Sequence, residues 1–81
     1  MENINREAIN KMLQAITERA KSKGWHAMTD TYAYKDIMRI LSKEDKDIGY
    51  ADREMLRNSL ELLCVCQGLH YYTLVGQAYH G

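Results

Sequence analysis

From Ile4 to Lys23, apolar residues recur at three- and four-residue spacing. Ile4, Ala8, Ile9, Met12, Ile16 and Ala20 fall on one side of a helical projection. The spacing predicts an amphipathic helix over 4–23. Asn3 is placed to cap its start, Lys21 and Lys23 sit at the negative end of its dipole, and Gly24 suits its stop. A looser stretch follows Trp25, from His26 to Thr31, and a second, shorter helix is predicted from about Tyr34 to Ser42. Its apolar side is Ala33, Tyr34, Ile37, Ile40 and Leu41, with Lys35, Asp36, Arg39 and Lys43 opposite. Thr31, Tyr32 and Ala33 have side chains suited to a strand, so a short strand is expected to lead into it.

Lys43 to Asp47 are all charged and of mixed sign, which predicts a solvated turn. A third helix is predicted from about Ala51 to Gln67. Met55, Leu56, Ser59, Leu60, Leu62, Leu63 and Cys66 form its apolar face, Arg53, Glu54, Arg57, Asn58 and Glu61 its wet face, and Gly68 its C-cap. The last segment, Leu69 to His80, sets Tyr71, Tyr72, Thr73, Leu74 and Val75 before Gly76, a pattern that predicts a strand or hairpin. The expected fold is therefore α+β and mainly α: one domain over 1–81, three helices followed by a short C-terminal strand or hairpin.

This order of elements resembles the winged helix-turn-helix superfamily. The residues that carry the likeness are Ala33 to Leu41 for the second helix, Leu60-Glu61-Leu62-Leu63 with Gln67-Gly68-Leu69 for the end of the third, and Gly76-Gln77-Ala78-Tyr79 for the wing. The resemblance implies a third helix that enters the major groove of DNA and a wing that touches backbone phosphates. On that reading Arg53, Arg57 and Asn58 address base edges, while Lys21 and Lys23 hold phosphates. The wing departs from the pattern, because Asn58 to Gly81 contain no lysine or arginine. Its phosphate contacts would have to come from backbone donors and hydroxyls. Folds of this type also serve as protein-docking modules, so the fold does not decide the partner.

Charge weighs against a nucleic-acid partner. Eleven basic and eleven acidic side chains cancel, whereas phosphate-driven binding draws most of its affinity from a basic excess. The end of the first helix is the one locally basic spot. With 81 residues and 46% hydrophobic content the chain is an ordinary globular domain, but one whose core supplies only a few kcal/mol of net stability unless a partner or a second copy adds to it. A polar, acidic start, two cysteines and no long apolar run point to a cytoplasmic protein rather than a secreted or membrane-inserted one.

Candidate chemistry is sparse. Cys64 and Cys66 with His70 suggest a metal site, but residues two apart on a helix point about 200° away from each other and cannot chelate one ion. They read as structural thiols, with no metal expected. His26, His70 and His80 lie in separate segments, and no nucleophile or carboxylate is spaced to work with them. No phosphate-cradling loop is present, so neither a catalytic nor a cofactor-binding residue is expected. Trp25 reads as a lid over the first helix or as an interface anchor. All six large aromatics besides Trp25 are tyrosines, a residue for places with one dry side and one wet tip. Tyr71, Tyr72 and Tyr79 cannot all be buried on a strand with alternating faces. With Leu74, Val75 and the outward Val65 they form an apolar, charge-poor surface, and an uncovered strand edge invites pairing with another chain. The expected function is thus a small non-enzymatic regulatory or inhibitory protein. It docks on a protein partner through Trp25, Tyr71, Tyr72, Leu74, Val75 and Tyr79, with a homodimer or a DNA-binding regulator as alternatives.

Overall fold

The computed structural model describes residues 4–68. Helix α1 spans Arg6–Ser22, and Asn5, not Asn3, caps it, its side chain accepting the Ala8 N–H at 3.0 Å. Of the predicted face Ala8, Ile9, Met12, Ile16 and Ala20 are buried, with Leu13 added, while Ile4 precedes the helix and is only partly buried. At the other end Gly24 adopts φ +83, a conformation that costs a side-chain-bearing residue dearly. There the Trp25 N–H reaches the Ala20 carbonyl at 2.8 Å and the Gly24 N–H reaches Lys21 at 3.0 Å, which closes α1 in a Schellman motif.

One tight turn over Met28–Asp30 precedes helix α2, Tyr32–Leu41. The strand expected over Thr31 to Ala33 is not formed. Thr31 is the N-cap, its hydroxyl oxygen accepting the Tyr34 N–H at 3.2 Å and donating to the Met28 carbonyl at 2.7 Å. Tyr32 and Ala33 therefore open the helix. A capping threonine won over the β-propensity of three residues, because the cap satisfies otherwise orphaned donors.

The charged run after α2 is pinned rather than merely solvated. Arg6 pairs with the Asp45 carboxylate, donates through Nη2 to the Lys43 carbonyl at 2.7 Å and through Nε to the Leu41 carbonyl at 3.4 Å. A short turn over Asp45–Asp47 then delivers Ile48 into the core, where it is 1% exposed. Helix α3 spans Tyr50–Cys66. It runs antiparallel to α2: Lys43 meets Asp52, Arg39 meets the Met55 sulfur, and Ala33 lies beside Ser59. It runs alongside α1 in the same sense, since Arg6 reaches the turn that leads into α3 and Lys23 Nζ donates to the Gln67 carbonyl at 3.0 Å.

The core is shared by all three helices, with Ile16, Ile37, Ile40, Ile48 and Leu63 at its centre. Among the described residues there is no strand, so this part of the chain is all-helical and the α+β expectation is corrected. The strand or hairpin expected over Leu69–His80, and with it the wing of the winged-helix resemblance, lies outside the described residues.

Candidate functional site

Helix α3 carries two apolar faces, and only one is used by the core. Leu56, Ser59, Leu60, Leu63 and Cys64 point inward. Met55, Leu62 and Cys66, which sequence spacing assigned to that same face, point out. Met55 is 40% exposed, Leu62 56% and Val65 64%. With Ala51 and Asn58, also exposed, these residues repeat at four-, three-, four- and three-residue intervals. That is the spacing of a coiled-coil seam, which keeps all five on one stripe. The stripe lies on the side of α3 turned away from the domain's own core.

The first turn of α2 forms a wall beside the stripe. Tyr32, 87% exposed, stands with Ala33 and Asp36 along one side of a shallow groove whose floor is Ala51, Met55 and Leu62. Glu54 lines the other side, and Glu61 continues that edge seven residues on. The Asp36 carboxylate has Arg39 at 3.7 Å, and Arg57 lies 2.7 Å from Glu54 and 3.9 Å from Glu61. Such exposed pairs are worth roughly 0–1 kcal/mol. Arg57 sits about 100° round the helix from Asn58, beyond the two glutamates and away from the groove.

The residues expected to touch DNA are not gathered on one face. Arg53 is half-buried, Arg57 is engaged by two glutamates, and Asn58 belongs to the apolar stripe. Lys23 is committed to the Gln67 carbonyl. That carbonyl lies 14 residues beyond Arg53, about 21 Å along α3. Lys21 is exposed at the same far end. Trp25 is half-buried and packs on the core beside the end of α1. Tyr71, Tyr72, Leu74, Val75 and Tyr79 lie outside the described residues.

Cys64 and Cys66 diverge as helical geometry requires. Cys64 is sealed in the core, where burial, with a smaller contribution from Glu61, pushes its thiol up to about 11, and Cys66 is exposed. Among the described residues no group of three metal-ligating side chains comes together. Likewise no described helix is long and apolar enough to cross a membrane. His26 is exposed after α1.

Sequence reading missed Tyr32, Met55 and Leu62 as surface residues, although a signal was there. An apolar seam at four-three spacing beside a second apolar face means that one helix has more hydrophobic surface than a three-helix core can cover. No protein-family model, curated protein or solved structure matches this chain.

Proposed function

We propose that this chain is a small, non-enzymatic, cytoplasmic regulatory or inhibitory protein that acts by docking on another protein. One observation carries the reading: the outward stripe of α3, with Tyr32 beside it, exposes Met55, Leu62 and Val65 on one continuous face. Isolated exposed hydrophobes are ordinary, but a contiguous row rimmed by polar residues is the usual mark of a contact surface. The apolar, charge-poor segment with Tyr71, Tyr72, Leu74, Val75 and Tyr79 supplies further docking surface on the same reading. Neutral net charge and dispersed basic residues favour a protein partner over DNA. The buried thiol of Cys64 is held protonated, which suits a structural residue and not a nucleophile.

Photo-crosslinking tests the proposal. A benzophenone side chain placed at Leu62 should capture a discrete partner in the cells that produce the protein, while the same group at Glu18, an exposed site on α1, should not. Equal capture from both positions would remove the stripe from the docking surface.

A further inference from the structure

We propose that Met55 is a peroxide-sensitive site, whose sulfoxide is held by Arg39 and turns the apolar floor of the α2–α3 groove polar. This rests on the docking role proposed above and adds the chemistry that switches it off. Exposure selects the residue. Met12 and Met28 are sealed, at 3% and 2% exposed, whereas Met38 and Met55, at 42% and 40%, are open to a small oxidant. Met38 stands with Leu13, Gln14 and Tyr34 in a crevice between α1 and α2, off the stripe. Met55 lies on the groove floor with Ala51 and Leu62.

The neighbour of its sulfur distinguishes Met55. Arg39 Nη2 donates to that sulfur at 3.1 Å, and the same nitrogen lies 3.7 Å from the Asp36 carboxylate. A thioether is a weak acceptor, so the contact gives the reduced protein little. Oxidation replaces it with a strong one. A sulfur lone pair attacks one oxygen of hydrogen peroxide, and the S–O bond forms as the O–O bond breaks. The other oxygen leaves as hydroxide and becomes water by taking the proton from the oxygen now bound to sulfur. Sulfur loses two electrons and the peroxide gains them.

The new oxygen carries partial negative charge beside a guanidinium, which makes a charge-assisted hydrogen bond between α3 and α2. A polar group created in a half-buried place costs stability when it finds no partner. Here the partner already stands at the sulfur. The oxidised domain therefore keeps its helices, while a polar oxygen interrupts the apolar row that faces outward.

The test uses the full chain carrying Met38→Leu, treated with hydrogen peroxide and mapped by mass spectrometry. Met55 should gain one oxygen at least about tenfold faster than Met12 and Met28, as its exposure requires. Oxidation should leave the melting temperature within about 1 °C, but should lower it by about 4 °C once Arg39→Leu has removed the donor. The Arg39 Nε resonance should also move on oxidation. Partner capture by a benzophenone at Leu62 should fall several-fold, and methionine sulfoxide reductase, which restores the thioether, should return it. Oxidation of Met55 no faster than that of the buried methionines would overturn the site. Equal melting losses with and without Arg39→Leu would overturn the role of Arg39. Unchanged capture after full oxidation would overturn the switch. If Leu62 captures nothing even from reduced protein, the docking role falls and the switch with it, while the melting comparison still decides whether Arg39 holds the sulfoxide.

Discussion

Lys43 Nζ lies 2.7 Å from the Asp52 carboxylate, which ties the residue after the C-cap of α2 to the first turn of α3. The hydrogen bond from Lys43 is the main cause that holds the Asp52 carboxyl below its ordinary 3.8. Partial desolvation works against that shift, and the Gly49 backbone and Arg39 add to it. A carboxyl whose folded-state pKa is depressed contributes stability above its unfolded pKa and loses it as pH falls through the folded one. Wild-type protein should therefore melt above Asp52→Asn at neutral pH, and the two melting temperatures should converge as pH drops below 3.8. Parallel curves across that range would show that the pair does not contribute through ionisation.

Arg6 is the corresponding clamp between α1 and the charged turn. It joins the Asp45 carboxylate to two backbone carbonyls, those of Leu41 and Lys43, which lie at the end of α2 and have no partner in the helix ladder to spare. Arg6→Met keeps the aliphatic stem and removes all three bonds. It should cost about 1–2 kcal/mol in urea unfolding, given charge-assisted bonds that are partly screened by solvent. Asp45→Asn leaves the two carbonyl bonds in place and should cost distinctly less. Equal losses would assign the clamp to the ion pair alone.

Periodicity made the helices legible, because burial against a core is what the three- and four-residue spacing records. α1 and the inward side of α2 were found on that ground, whereas Cys66, read as part of the inward face of α3, is exposed and Cys64 is the buried thiol. Two errors have physical causes. Thr31 was read by its β-propensity when its hydroxyl serves as a cap, a role set by the helix that follows it. The face of α3 was drawn too wide, so Met55 and Leu62 were placed inside although Leu60, Leu63 and Cys64 already fill that side. No spacing rule could have linked Arg6 to Asp45, 39 residues apart, or brought Ile48 into the core from the edge of a charged run. The seam of α3 left a signal in its spacing, but the place of Tyr32 beside it did not, since that is set only by the antiparallel packing of α2 on α3.

Thiol chemistry should divide the two cysteines cleanly. Cys66 is exposed and Cys64 is sealed, with its thiol pushed up to about 11 by burial. An aromatic disulfide reagent at pH 8 should modify Cys66 within the mixing phase and Cys64 only as the domain opens, so that the slow phase follows the opening rate. Adding urea should speed that phase and leave the fast one unchanged. Two equally fast thiols would mean that the end of α3 unravels in solution.

Alanine substitutions at Ile37 and Leu62 should separate a residue that holds the fold from one on the outward stripe. Ile37 is sealed at the centre of the core, and Ile37→Ala removes its contacts and leaves a cavity, a loss of about 2–5 kcal/mol. Leu62 is 56% exposed on the outward stripe, so Leu62→Ala should change stability by no more than about 0.5 kcal/mol. The pair is read by chemical denaturation of the isolated protein at two concentrations. A Leu62→Ala cost that grows with protein concentration would trace the contact to a second copy. A large cost independent of concentration would place Leu62 in the domain's own core and withdraw the stripe as a docking surface.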